Sequence, residues 1–126
     1  MITFDFITQK AQTITMRNCY FDCDNTLVLY RGHPDYKRCK KIKIRDQVTG
    51  ELVKLAIHQR HVDWLKCMKR RGEKIIVWSA GGEAWVKAVC VALRIDRYVD
   101  HMLGKPDTIY DDDKQVFYAI PRWETP

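Results

Sequence analysis

The segment NCYFDCDNTL, residues 18–27, decides the fold of this 126-residue chain. Its first half is a compact apolar run that stops on an acid, Asp22, and this pattern predicts a buried β-strand. Asp24, Asn25 and Thr26 follow at once, and side chains of these types favour a turn. The segment therefore predicts a strand whose carboxyl end carries two carboxylates.

The rest of the chain alternates between strand-like and helix-like patterns. Strand and helix in alternation predict an α/β fold, in which a central parallel sheet is flanked by helices through right-handed crossovers. The predicted elements are a β-hairpin over 41–57, a helix over 58–71, a strand over 74–78, a helix from Gly81 to about Leu93, and short strands over 98–103 and 108–110.

Length and composition predict one domain spanning residues 1–126, since no repeat or linker divides the chain. Alternating apolar residues within 1–17 predict an added β-hairpin or edge strands. No apolar run approaches the roughly 20 residues of a membrane span, and the first residues lack a signal-peptide pattern. A cytoplasmic protein is the expectation.

Polar side chains follow three of the predicted strands, at the point where each strand ends. In open α/β sheets, ligands bind beyond the carboxyl ends of the strands. We therefore expect carboxylates, a hydroxyl, backbone amides and an ammonium group to meet in one crevice. The segments concerned are Asp22–Thr26, Ser79–Gly82 and Asp111–Asp113, with Lys105 in the loop before the last.

This set matches the needs of phosphoryl transfer through an aspartyl-phosphate. One carboxylate attacks phosphorus, and a second acid protonates the leaving oxygen and later activates water. A divalent cation such as Mg²⁺, held by carboxylates, offsets the repulsion between enzyme and phosphate. A lysine, a hydroxyl and backbone N–H groups bind the other phosphate oxygens.

Four motifs, covering roughly residues 18–114, resemble those of the haloacid dehalogenase (HAD) superfamily and occur in the same order. The resemblance implies a Rossmann-like HAD core and a magnesium-dependent phosphatase. Phe21–Leu27 is similar to the DxDxT signature, Ile75–Ser79 to the second motif, Gly104–Pro106 to the third, and Ile109–Asp112 to the fourth, an apolar strand that ends in paired acids.

The resemblance also implies a role for each matching residue. Asp22 is the nucleophile and a metal ligand, while Asp24 is the general acid and base and lends the metal its backbone carbonyl. Ser79, Ala80 and Lys105 bind the transferring phosphate, and Lys105 also neutralises Asp22.

The acidic triplet Asp111–Asp113 is expected to supply the remaining metal ligand. Termination of the last strand favours Asp111 and Asp112, whereas matching Lys114 to the basic residue that often follows the acidic pair favours Asp112 and Asp113. Asp112 belongs to both assignments. The structural alternative is a cluster of acids at a helix start, where they are stabilised by the helix dipole.

The spacing of the motifs leaves no room for a cap domain. From Asp24 to Ser79 is 55 positions, which the hairpin and one helix fill, and from Ser79 to Lys105 is only 26. An uncapped site is open and does not enclose a small metabolite against water. In the family, such enzymes often act on macromolecules or borrow cover from another subunit.

The formal net charge is +6, and much of it lies in and just before the hairpin, which we expect to overhang the site as a flap over residues 37–57. Such a patch suits a polyanion, with a nucleic-acid end as the leading case, or is simply a solvated face. The chain is also loosely similar to polynucleotide 3′-phosphatase domains. The basic residues are Lys37, Arg38, Lys40, Lys41, Lys43 and Arg45.

Two other functions stay open. One is a phosphatase of phosphoproteins or small phosphoesters. The other is a catalytically silent binding module with a HAD frame, against which the intact pair Asp22 and Asp24 counts.

Overall fold

The computed structural model describes residues 17–112. Its elements follow the alternation that the sequence predicts. They are β1 (Asn18–Asp22), β2 (Val28–Leu29), β3 (Lys41–Arg45), β4 (Leu52–Ile57), α1 (Gln59–Arg70), β5 (Lys74–Ser79), α2 (Glu83–Ala92) and β6 (His101–Gly104), with 3-10 helices at Tyr36–Arg38 and Asp96–Tyr98.

The strands form two three-stranded sheets. The first is parallel, in the order β1-β5-β6, and the second is antiparallel, in the order β2-β4-β3. A parallel sheet accompanied by two helices confirms the predicted α/β class. β3 and β4 form an antiparallel hairpin in the segment for which the sequence predicts one.

One hydrophobic core joins both sheets and both helices. β5 contributes a continuous apolar run, whose residues Ile75, Ile76 and Val77 are all buried, as expected of a central strand in a parallel sheet. Helix α1 buries one residue per turn, at Val62, Leu65 and Met68. Burial of their apolar side chains thus explains why these segments form the strand and the helix that their sequence patterns predict.

The register of the parallel sheet decides where the polar residues meet. Asp22 at the end of β1 lies beside Trp78, and Ser79 at the end of β5 lies beside Gly104 at the end of β6. Because parallel strands point the same way, their carboxyl ends share one edge. The residues after these three strands therefore surround a single site.

Two predicted strands differ from the structure. The strand predicted over 98–103 begins only at His101, after the 3-10 helix, and residues 108–110 form no strand. Ile109 and Tyr110 are 43% and 94% exposed, so no apolar packing holds this segment in a sheet. Asp111 and Asp112 consequently follow an irregular, exposed segment rather than the end of a strand.

Some predictions concern residues outside 17–112. The strands predicted within residues 1–17 lie there except for Arg17, whose guanidinium pairs with Glu73 at 2.7 Å. Asp113 and Lys114 lie there as well. Between residues 17 and 112, neither helix is long and apolar enough to span a bilayer.

Candidate active site

A tight loop follows β1, and we call residues 22–27 the acidic loop. The Cys23 N–H extends the ladder to the Trp78 carbonyl at 3.2 Å, and the Cys23 carbonyl then accepts from Leu27 and Val28 at 3.0 and 3.1 Å. Asn25 has a left-handed backbone (φ 61°), a conformation that Asn tolerates better than most residues. The turn predicted from Asp24-Asn25-Thr26 is therefore a closed backbone loop.

Helix α1 holds the acidic loop from the other side. The His58 N–H donates to the Leu27 carbonyl at 3.0 Å, and His61 Nδ1 lies 2.8 Å from the Thr26 carbonyl. The two imidazole rings are stacked with centroids 3.7 Å apart, and burial, followed by the charge of His61, lowers the pKa of His58. These histidines therefore anchor the loop to the start of α1.

Asp22 and Lys105 form the first pair of the site. Lys105 Nζ lies 3.1 Å from Asp22 Oδ1, with the two side chains 36% and 18% exposed. The backbone sets this contact, because the Lys105 N–H continues the β5–β6 ladder by donating to the Ser79 carbonyl at 2.9 Å. Two residues that are 83 positions apart in the sequence thus meet at the sheet edge.

Asp24 is the most heavily hydrogen-bonded acid of the site. Its Oδ2 accepts from Ser79 Oγ at 3.1 Å, and its Oδ1 accepts from Trp85 Nε1 at 2.9 Å and from the Tyr30 hydroxyl at 3.2 Å. Burial, reinforced by the negative charge of Asp24, raises the pKa of Tyr30 to about 12, so this hydroxyl keeps its proton. Three donors therefore hold one carboxylate.

Sequence reasoning assigned no functional role to Tyr30 or Trp85. For Trp85 there was a usable signal, because a buried indole N–H needs an acceptor and the residue lies one turn after the glycines that open α2. For Tyr30 the sequence carries no such signal. Its proximity to Asp24 results from the path of β2, which is short and lacks a periodic pattern.

The turn between β5 and α2 is built around Ser79. The buried Ser79 Oγ accepts from the Gly81 N–H at 2.9 Å, while the Ser79 carbonyl accepts from the Gly82 N–H at 3.1 Å. A Cβ on Gly81 would lie 3.1 Å from Trp85 Cδ1 and 3.3 Å from Ser79 Oγ, so glycine allows this close approach. Ala80 is exposed, and its N–H donates to no group among residues 17–112.

Cys23 lies between the two acids but does not add a nucleophile. Its side chain is fully buried. Burial is the main cause of a strongly raised thiol pKa, and the charges of Cys90, Asp24 and Asp22 add to it. Because the thiolate is the reactive form of cysteine, this buried thiol is poorly suited to act as a nucleophile.

The structure does not bring every predicted metal ligand together. Within residues 17–112, no group of three or more His, Cys, Asp or Glu side chains is placed to hold a metal ion, so Asp111 and Asp112 complete no such set with the acidic loop. The roles of Asp111 and Asp112 remain predictions.

The donors of the acidic loop nevertheless fit Mg²⁺, which prefers oxygen and commonly takes one or two carboxylates plus substrate phosphate and water. Asp22 Oδ1 faces Lys105, which leaves Oδ2 as a carboxylate oxygen for a cation. The Asp24 carbonyl accepts no backbone hydrogen bond from the described residues. Asp22 and Asp24 therefore offer two oxygen ligands of the required type.

Comparison with known proteins adds no family assignment. No protein-family model, no curated protein and no solved structure matches the chain. The resemblance of the four motifs to the HAD superfamily therefore remains a prediction.

Proposed function

We propose that this chain is a magnesium-dependent phosphomonoester hydrolase of HAD type, with Asp22 as the nucleophile. The observation that supports the proposal best is the meeting of four predicted residues at one sheet edge. Lys105 contacts Asp22 at 3.1 Å, and Ser79 contacts Asp24 at 3.1 Å. Two carboxylates, an ammonium group and a hydroxyl are the groups that phosphoryl transfer through an aspartyl-phosphate needs.

In the first half-reaction, a carboxylate oxygen of Asp22 forms a bond to phosphorus while the bond from phosphorus to the leaving oxygen breaks. Asp24 donates a proton to that oxygen, which departs as an alcohol. In the second half-reaction, Asp24 takes a proton from a water molecule that attacks the phosphorylated Asp22. Inorganic phosphate leaves, and both acids return to their starting states.

The hydrogen bonds of Asp24 decide which of its oxygens carries the proton. The indole N–H of Trp85 is a donor only, so Asp24 Oδ1 has to remain an acceptor. The hydroxyl of Ser79 can donate or accept, so it can follow a proton on and off Oδ2. We therefore assign the transferred proton to Oδ2 of Asp24.

Lys105 and the β5–α2 turn are the proposed phosphate-binding groups. The Lys105 ammonium pairs with Asp22 and is placed to neutralise a phosphate oxygen beside it. The N–H of Ala80, near the start of α2, is available to an anion. Ser79 has a single hydroxyl proton, which it donates in a hydrogen bond to Asp24. To donate to a phosphate oxygen, the hydroxyl has to rotate away from Asp24.

Asp22 and the carbonyl of Asp24 are the residues that would hold Mg²⁺. When bound, the ion neutralises charge between the Asp22 carboxylate and the phosphoryl group. We include the exposed Asp112, and Asp111 beside it, as further ligands in the proposal. The substrate is a phosphomonoester presented to an open site, either the end of a nucleic acid or a phosphoprotein or small phosphoester.

Release of inorganic phosphate tests the proposal. The substrates are para-nitrophenyl phosphate, a 3′-phosphorylated oligonucleotide and a 5′-phosphorylated one, each measured with Mg²⁺ and with EDTA. We expect turnover that EDTA and Asp22→Asn abolish, while Asp107→Asn, an exposed acid close to Lys105, retains it.

The outcomes separate the functions. Preference for one oligonucleotide end would identify a nucleic-acid substrate, and turnover of the aryl phosphate alone would favour small phosphoesters. If the wild-type protein releases no phosphate from any substrate, the hydrolase proposal is wrong and a silent binding module takes its place. Retained activity in Asp22→Asn would remove Asp22 as the nucleophile.

A further inference from the structure

The β3–β4 hairpin has two different faces, because successive side chains of a strand point to opposite sides. Ile42 and Ile44 on β3, and Val53 and Leu55 on β4, pack into the core. The alternate positions therefore point away from the core. We call the four cations at these positions the basic face: Lys41, Lys43, Arg45 and Lys54.

The centre of the basic face is a pair of like charges. Lys43 and Lys54 lie directly opposite each other in the antiparallel register, and both are exposed. Like charges at such positions repel and destabilise the hairpin. Neither ammonium group has a hydrogen bond or ion pair within the described part of the chain.

The other two cations of the face have neutral partners. Lys41 Nζ donates to the Cys39 carbonyl at 2.7 Å and lies 4.6 Å from the centre of the Tyr36 ring. Arg45 donates to the Gly50 carbonyl at 2.6 Å. These contacts position both side chains without cancelling their charge.

Acids near the hairpin do not compensate for this charge. Residues 35–56 contain seven lysines and arginines against three acids, which leaves +4. Asp35 pairs with Arg38. Asp46 accepts from the turn amides of Val48 and Thr49 at 2.8 and 3.3 Å. The cations of the basic face therefore pair with no carboxylate of the hairpin, and an anion that neutralises them would have to come from outside it.

We propose that the basic face binds the sugar–phosphate backbone of a nucleic acid strand. Its cations repeat along β3 at every second residue, about 6.8 Å apart, and Lys54 lies opposite Lys43 on β4, about 4.8 Å away. A nucleic acid backbone is a partner that presents charge repeatedly along its length. The proposal does not rest on the chemistry of Asp22.

The chemistry of the face also predicts the mode of binding. The accessible outward positions of β3 and β4 carry only cations and the aliphatic Leu52, since Ala56 is buried in a small cluster with Leu29 and Tyr36. There is no aromatic side chain for stacking and no amide for reading a base edge among them. Contacts to phosphates alone position a strand without specifying its sequence, so we expect sequence-independent binding.

Fluorescence anisotropy of a labelled oligothymidylate of about 20 nucleotides tests the proposal, with a length chosen to span the face several times. The oligonucleotide lacks a terminal phosphate, so turnover does not enter the measurement. The test variant is Lys43→Gln/Lys54→Gln. The matched control is Lys66→Gln/Arg70→Gln, which removes the same charge from α1.

Salt dependence gives the expected size of the effect. Each phosphate contact to a single strand contributes about −0.7 to the slope of log K against log salt, so four contacts predict about 50-fold weaker binding at about 200 mM than at about 50 mM salt. Two contacts predict about sevenfold weakening over the same range. Over this salt range, binding should weaken about 50-fold for the wild type and the α1 control, and about sevenfold for the hairpin variant.

Equal losses in both double variants would overturn the proposal, because net charge rather than the face would then control binding. Absence of binding by the wild-type protein at about 50 mM salt would overturn it as well. Thermal unfolding of each variant checks that it is folded. Hydrolysis of para-nitrophenyl phosphate by the same preparations reports the proposed enzyme activity separately.

Discussion

The hydrogen bond from Trp85 to Asp24 offers the most direct test of the site. Trp85 Nε1 lies 2.9 Å from Asp24 Oδ1, and the indole is only 7% exposed. Trp85→Phe removes this N–H and keeps an aromatic ring against the core. Asp24 Oδ1 would then keep only the longer hydrogen bond from Tyr30, at 3.2 Å.

The size of the effect follows from the charge of the acceptor. A hydrogen bond to a charged group contributes about 1.5–3 kcal/mol, and about 1.4 kcal/mol corresponds to a tenfold change in rate. We expect kcat for para-nitrophenyl phosphate to fall roughly 10- to 150-fold, toward the lower end because Tyr30 remains. KM should change little, since the indole N–H of Trp85 bonds to Asp24 and not to a proposed phosphate-binding group.

Val86→Ala is the matched control, because Val86 is the next residue of α2, is fully buried and makes no contact with Asp24 through a hydrogen bond. It should lower the free energy of unfolding by about 2 kcal/mol while kcat stays near that of the wild type. A folded Trp85→Phe protein with kcat within about twofold of wild type would refute the role of this hydrogen bond. The same loss of kcat in Val86→Ala would assign the effect to packing.

Two further predictions concern the β5–α2 turn and acid stability. Gly81→Ala should reduce kcat more than the control Gly32→Ala. A Cβ on Gly81 would lie 3.1 Å from Trp85 Cδ1, whereas a Cβ on Gly32 would have no neighbouring atom within 4 Å. Equal kcat values in the two variants would show that the turn relaxes freely. Hydrogen bonds from Arg17 and the Cys19 thiol lower the pKa of Glu73 from its ordinary 4.5. Ionised Glu73 therefore stabilises the fold fully above pH 4.5, and this stabilisation is lost as the pH falls through the lowered pKa. Urea midpoints measured between about pH 5 and 2 should therefore fall further in the wild type than in Glu73→Gln, and parallel curves would contradict this assignment.

Local patterns in the sequence were sufficient for most of the fold. The apolar runs of β1 and β5 and the helical spacing in α1 each follow from the burial of one face or both faces of an element. Strand direction then made the site predictable, because parallel strands bring their carboxyl ends to one edge. For this reason the meeting of Asp22, Ser79 and Lys105 was accessible from the sequence.

The local pattern was misleading for one segment whose apolar side chains are not buried. Residues 108–110 have the composition of a strand, yet Ile109 and Tyr110 are exposed and no strand forms. β-propensity describes how well a side chain fits a pleated and partly buried surface, so it has little effect where no such surface is present. The metal-binding role of Asp111 and Asp112, which depended on that strand, therefore still has to be tested.

The sequence by itself determined the order of the main elements (β1, the β3–β4 hairpin, α1, β5 and α2) and the sheet edge at which Asp22 and Asp24 lie. Only the tertiary structure decided that Trp85 and Tyr30 hold Asp24 and that Lys43 faces Lys54. The physical reason is that periodicity reports the environment of one element at a time. Contacts between residues far apart in the chain depend on the register of strands and the packing of helices, which no local pattern contains.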